Sequence, residues 1–269
     1  MSYIEEMFSL KGRTAVITGG AGGIGTEMSR TLLKANANVV IWSRSRESID
    51  RALETLNDAG GERVKGVVVD TGVEEKVVEA LQHSLSLFDR VDILINGVGG
   101  NIGKNDFVET SMEQFNTVLH KNLVAGLMVP TKAIAKYWIE NEIKGNIINL
   151  TSMTSYKPLS GVWAYNAAKA AVLNLTEGAA NEFAGHGIRV NAIAPGFFIG
   201  KQNRDLLIDK ETGDYTERGK AIINRTPYKR FGEVSELAGA TLFLASNKAS
   251  GFVTGVSIPV DGGYLVDNI

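Results

Sequence analysis

The chain predicts an α/β fold built on a doubly wound parallel sheet with helices on both faces, and three observations carry that expectation. Short apolar runs alternate with helical patterns from Thr14 to Pro259, the order that yields βαβ units. The first run, Thr14-Ala15-Val16-Ile17-Thr18, breaks directly into Gly19-Gly20-Ala21-Gly22-Gly23-Ile24-Gly25 and then a helix-compatible stretch. Val67-Val68-Val69 and Ile93-Leu94-Ile95 are apolar throughout, as strands covered on both faces are.

The elements follow in order. A helix is expected over 26–35, a strand over 38–42, a helix over 47–59 and a strand over 64–69. A helix over 74–88 and a strand over 91–95 come next, followed by a long helical stretch over 112–140. The strand at 146–150 leads into a helix holding Tyr165 and Lys169, then a strand at 188–194. Residues 197–226 read as irregular, which at that length suggests a lid over a site. A helix over 234–245 and a last strand at 256–259 complete the order.

With 269 residues, 44% of them hydrophobic, the chain can bury a sizeable core. No linker, repeat or low-complexity tract divides it, so 1–269 is expected to be a single domain, with 197–226 as a loop insertion. A net charge of −2 with scattered Lys and Arg gives no field for nucleic acid. Zero cysteines excludes disulfides and thiolate sites and fits a reducing compartment. Met1 to Leu10 carries Glu5 and Glu6 and no signal-like apolar core, and no apolar run reaches membrane-spanning length. A soluble cytoplasmic protein is expected. His83, His120 and His186 form no metal-ligand spacing, so no metal is expected. Ser152 lacks the G-x-S-x-G setting of a hydrolase nucleophile.

Strand, glycine turn and helix are the setting of a nucleotide-binding turn, where glycines admit the pyrophosphate and the helix N-terminus faces it. Two registers fit: Gly20, Gly22 and Gly25 as G-x-G-x-x-G, or Gly19, Gly23 and Gly25 as T-G-x-x-x-G-x-G from Thr18. The second strand ends in Ser43-Arg44 where NAD sites carry an acidic residue, and an Arg there suits the extra phosphate, so NADP is favoured over NAD. Asp70 and Asn96-Gly97-Val98-Gly99-Gly100-Asn101 end the third and fourth strands and are candidate cofactor walls, since ligands lie beyond strand carboxyl ends. Tyr165 and Lys169 stand four apart on one helix face, and a fixed positive neighbour would lower the phenol's pKa. Ser152 lies at a strand's carboxyl end, thirteen residues before Tyr165.

The whole set resembles the short-chain dehydrogenase/reductase family over nearly the full length. The matching pieces are Thr18-Gly19-x3-Gly23-Ile24-Gly25, Asp70, Asn96-Gly97-Val98-Gly99, Asn122, Ser152, Tyr165-x3-Lys169, Pro195-Gly196 and Val260-Asp261-Gly262-Gly263. The resemblance implies a Rossmann-like fold, the Gly19, Gly23, Gly25 register, and hydride transfer between a nicotinamide and a carbonyl or secondary alcohol. It implies Tyr165 as general acid or base, Ser152 on the carbonyl oxygen, Lys169 on the ribose and Tyr165, and Asn122 fixing a relay water. It places Gly19, Gly23, Ile24, Gly25, Ser43, Arg44, Asp70, Thr71, Asn96, Gly97, Pro195 and Gly196 on the cofactor, together with Tyr165 and Lys169. It also implies a homotetramer or homodimer. One departure shows: the family's Asn-Asn-Ala-Gly is Asn96-Gly97-Val98-Gly99 here.

Within the family the loops are similar to those of sugar-acid oxidoreductases of the fructuronate/mannonate and gluconate/5-ketogluconate types. Asn101, Lys104, Met153, Lys201 and Arg204 are the expected substrate contacts, and Lys104, Lys157, Lys201 and Arg204 are cations available for a carboxylate. The rival readings are a reductase of acyl thioesters, steroids or simple ketones, and a non-catalytic NADP sensor.

Overall fold

The computed structural model describes residues 2–200 and 204–268. Seven strands form one sheet in the order β3-β2-β1-β4-β5-β6-β7, all neighbours parallel. They are β1 (Thr14–Thr18), β2 (Asn38–Ser43), β3 (Val64–Val68), β4 (Ile93–Asn96), β5 (Asn146–Leu150), β6 (Arg189–Pro195) and β7 (Ser257–Val260). The helices are α1 (Tyr3–Phe8), α2 (Gly23–Lys34), α3 (Arg46–Gly60), α4 (Glu74–Phe88), α5 (Met112–Leu119), α6 (Val129–Glu140), α7 (Trp163–Phe183), α8 (Arg204–Leu207), α9 (Glu217–Asn224), α10 (Ala238–Ala245) and α11 (Asn247–Ser250). The strand order reverses between β1 and β4, which opens a crevice at their carboxyl ends.

Alternation along the strands builds two cores. Ala15, Ile17, Val39, Ile41, Ile93, Ile95, Ile148 and Ile193 face one way, onto Met28, Leu32, Ile49, Leu56 and Leu244 of α2, α3 and α10. Val16, Val40, Leu94, Ile147 and Val190 face the other, onto Val77, Leu81, Ile134 and Trp138 of α4 and α6. The period of two in strand side chains sends neighbours to opposite faces, so both faces need apolar cover.

The structure corrects three expectations. Val68 is 49% exposed, because β3 is an edge strand of the sheet. The long stretch over 112–140 is not one α-helix: between α5 and α6 lies a π-helical segment, His120–Met128, in which the Val129 N–H bonds the Val124 carbonyl five residues back. The segment 197–226 is not wholly irregular, since α8 and α9 form within it and pack through Leu207, Ile222 and Phe231 as a small cluster of their own. Lys201 lies outside the described residues.

Candidate active site

The turn after β1 is backbone packed on backbone. Gly19 has φ +65°, and a Cβ there would come within 2.9 Å of the Gly97 backbone. A Cβ on Gly25 would stand 2.6 Å from the Gly19 carbonyl oxygen. Close approach thus requires glycine at Gly19 and Gly25, and Gly20 is confined as well, its Cβ position lying 2.9 Å from the Ile17 carbonyl oxygen. Gly23, by contrast, opens α2 with nothing within 4 Å of its Cβ position, and Gly22 caps that helix without a side-chain hydrogen bond. An exposed, uncapped helix N-terminus with open space before it fits a pyrophosphate, which needs room and N–H donors together. Ile24 is half-buried beside it.

Around this turn, Ser43 is half-buried and Arg44 exposed at the end of β2, with no ion pair among the described residues. Asp70 is exposed and its Oδ1 accepts from the Gly72 N–H at 2.9 Å, while Thr71 is buried. At the end of β4, the buried Asn96 donates from Nδ2 to Thr131 Oγ1 and to Asn149 Oδ1, both at 2.9 Å, so its amide ties buried elements together. The family departure at Gly97 also has a cause here. A Cβ at Gly97 would lie 2.6 Å from the Thr18 carbonyl oxygen, and the Gly97 N–H donates to Thr18 Oγ1 at 3.1 Å. Pro195 ends β6, and a Cβ on Gly196 would meet the Asp261 Cα at 2.6 Å, so the closing Asp261-Gly262-Gly263 turn packs on the strand exit.

Ser152, Tyr165 and Lys169 come together at the carboxyl end of β5. The Thr154 N–H donates to Ser152 Oγ at 3.1 Å, which leaves the Ser152 hydroxyl proton free to donate. Lys169 Nζ donates to the Leu150 carbonyl at 2.7 Å and stands 5.7 Å from the centre of the Tyr165 ring. Burial pushes the Lys169 ammonium down to about 8. Burial pushes the Tyr165 phenol up from its ordinary value, and its hydrogen bond with Ser152 pulls the other way. The expected lowering of Tyr165 by Lys169 is therefore absent, because the ammonium is directed at Leu150 and desolvation dominates.

Asn122, in the π-helical segment, spends its amide on the neighbouring turn. Nδ2 donates to the Gly100 and Val118 carbonyls, each at 2.8 Å, and Oδ1 accepts from the Gly100 N–H at 2.9 Å. A Cβ on Gly99 would come within 2.7 Å of Asn122 Oδ1 and 3.3 Å of Lys169 Nζ, so the turn after β4 threads between the two side chains. π-bulges recur at functional sites because they reposition side chains by one residue. Here the segment brings Gly126 under Val98 as well, where a Cβ would stand 2.6 Å from the Val98 carbonyl oxygen.

Sequence reasoning missed Ser155, whose Oγ donates to the Lys169 carbonyl at 2.7 Å and so fixes α7 to the Ser152 turn. The Ser152-x-x-Ser155 spacing, reciprocal like a capping pair, was the available signal. It also missed Lys121, whose Nζ lies 3.1 Å from the Cβ position of Gly100. Of the expected substrate contacts, Met153 is buried beside Ser152, and Asn101, Lys104 and Arg204 are exposed. The Lys104 stem lies across Gly161, and Trp163 Nε1 donates to the Asn105 carbonyl at 3.0 Å, fastening the loop after β4 to the start of α7.

A family model described as Enoyl-(Acyl carrier protein) reductase matches residues 19–265. The chain belongs to the short-chain dehydrogenase/reductase family of oxidoreductases. An uncharacterized oxidoreductase of Bacillus subtilis is 40% identical, over 96% of each chain. Gluconate 5-dehydrogenase of Gluconobacter oxydans is 34% identical, over 97% of this chain and 98% of its own. A Haemophilus influenza structure with bound NAD, provisionally assigned as a D-mannonate oxidoreductase, superposes with a TM-score of 0.90 at 34% identity, covering 98% of this chain and 99% of its own. A gluconate 5-dehydrogenase from Burkholderia cenocepacia, solved with NADP and tartrate, gives 0.87 at 32% identity, covering 98% and 99%.

Proposed function

We propose that this protein is an NADP-dependent oxidoreductase of sugar acids, interconverting a keto group and a secondary alcohol on a substrate of the fructuronate/mannonate or 5-ketogluconate/gluconate type. The convergence of Ser152, Tyr165 and Lys169 at the end of β5 is the observation that carries it. Relatives named for gluconate and 5-ketogluconate support the substrate class, and Arg44, with no ion pair among the described residues, supports NADP. The open start of α2, with Gly19, Gly23, Ile24 and Gly25, would hold the pyrophosphate. Ser43, Arg44, Asp70 and Thr71 would hold the adenosine half, the Gly97 backbone would line the wall, and Pro195 and Gly196 would flank the nicotinamide.

When bound, the nicotinamide supplies or takes the hydride at the carbonyl carbon. In the reducing direction Tyr165 donates its phenolic proton to the carbonyl oxygen, and in oxidation its phenolate takes that proton back. Ser152, its oxygen already receiving the Thr154 N–H, donates to the same carbonyl oxygen as charge develops there. Lys169, fixed at Leu150, keeps its remaining N–H groups for the ribose. Asn122 latches the Gly99-Gly100 turn beside Lys169 and leaves one Oδ1 lone pair for a relay water. Asn101, Lys104, Met153 and Arg204 would border the sugar acid, with 197–226 as its cover within one catalytic domain spanning 1–269.

No described helix is long and apolar enough to cross a membrane, and cytoplasmic residence is part of the proposal. So is assembly into a homotetramer or homodimer through the helices that carry Asn122 and Tyr165, where Met112 (65%) and Met128 (45%) stand exposed.

The test is Tyr165→Phe assayed on 5-ketogluconate with NADPH. Turnover should fall by about 10² to 10⁴, with NADPH affinity by fluorescence titration unchanged. In the wild type, burial of Tyr165 raises its pKa, so gluconate oxidation, which needs the phenolate, should climb as pH rises. A fully active Tyr165→Phe enzyme would remove the assignment.

A further inference from the structure

Four cations were candidates for a substrate carboxylate, and the structure separates those it describes. Lys104 is exposed with its stem flat across Gly161, and Arg204 is exposed at the head of α8. Lys157 is different. It is half-buried, its N–H donates to the Met153 carbonyl at 3.0 Å, and it stands one turn beyond Ser152. Its ammonium lies 5.7 Å from the centre of the Tyr264 ring. Tyr264 is 4% exposed and packs edge-on against Phe197, the ring centres 5.2 Å apart. Phe197 directly follows Gly196, on which the Asp261 turn rests. The Lys157 ammonium therefore sits where the exits of β5 and β6 meet the closing turn, on the rim of the crevice that holds Ser152 and Tyr165. Among the described residues no carboxylate is within ion-pair reach of it. An ammonium on an aromatic face, carried by a half-buried side chain, keeps its three N–H donors for a ligand.

We propose that Lys157 is the anion subsite of this crevice. Its ammonium receives the carboxylate of the substrate remote from the reacting carbon, and the Tyr264 ring holds the side chain in place for it. This rests on the sugar-acid reading above. The chain that positions the subsite runs Ser152, Met153, Lys157, Tyr264, Phe197, so the carboxylate is gripped at a fixed distance from the hydroxyl and phenol that act on the carbonyl. An ammonium used in this way contributes to substrate binding and leaves the hydride and proton steps alone, which predicts a KM effect.

The experiment compares wild type, Lys157→Met and Lys157→Arg, each with NADPH for the kinetics and with NADP for the titration. One ligand pair and one probe are used: 5-ketogluconate against its uncharged amide in steady-state kinetics, and tartrate in calorimetric titration as an anion probe. Lys157→Met should raise KM for the acid by about tenfold to a hundredfold, leave kcat and the amide's KM unchanged, and weaken tartrate in parallel. Lys157→Arg should restore most of the affinity, and Tm should be equal in all three. Equal losses on acid and amide, or a fall in Tm with kcat and KM moving together, would mean that Lys157 only staples the closing turn, and would overturn the proposal. So would unchanged tartrate affinity. Lys157-dependent tartrate binding in an enzyme that turns over no sugar acid would uphold the anion subsite and overturn the substrate reading instead.

Discussion

The turn that leaves β1 and the segment that leaves β6 border the same crevice and are built on opposite principles. In the first, backbone touches backbone: Gly19 against Gly97, Gly25 against Gly19, Gly97 against Thr18. No side chain could be added there without moving a strand end. In the second, α8 and α9 are joined by Leu207, Ile222 and Phe231, a cluster separate from the two cores that flank the sheet. One region is rigid because the sheet itself forms its wall. The other is attached through a few side chains, and local opening of such a unit costs less than global unfolding. The difference suits a cofactor common to a family on one side and a substrate particular to this chain on the other.

Three substitutions would break or sharpen the contrast. The largest effect belongs to Gly25→Ala, whose Cβ would stand 2.6 Å from the Gly19 carbonyl oxygen. Overpacking of this kind costs about 1–3 kcal/mol, and NADP affinity by fluorescence titration should fall at least about tenfold because the turn that receives the pyrophosphate is displaced. Next, Arg44→Gln should weaken NADP by about tenfold, the loss of one charge-assisted contact, and leave NAD unchanged; equal effects on both cofactors would remove Arg44 from the 2′-phosphate. The smallest effect on the folded whole belongs to Phe231→Ala. It should leave Tm nearly in place while speeding proteolytic cleavage within 197–226 and raising substrate KM severalfold. A large cooperative drop in Tm would show that the segment is part of the main cores after all.

Much of the rigid region was legible in the sequence, because a glycine turn between a strand and a helix leaves few structural options, and alternating runs dictate a parallel sheet. Tyr165, Lys169 and Ser152 were legible for the same reason, through spacing and position at a strand end. The rest depended on where side chains go. Nothing in Asn96 as a letter says that its amide turns inward to Thr131 and Asn149, and nothing in Lys169 says that Leu150 takes its ammonium. The π-helical segment looked like continuous helix because its composition is that of a helix; only the fold shows Gly126 packed under Val98. The two short helices in 197–226 were missed because they are held by a tertiary cluster that only the fold assembles. Lys157 could be counted among the basic residues, but its seat on Tyr264 joins positions more than a hundred residues apart.

The central claim is that this crevice serves a keto sugar acid. Its most direct test is kcat/KM for fructuronate, 5-ketogluconate and an acetoacetyl thioester, each measured side by side with NADPH and with NADH. The account predicts that one of the two sugar acids with NADPH exceeds every other combination. Faster reduction of the thioester would contradict it.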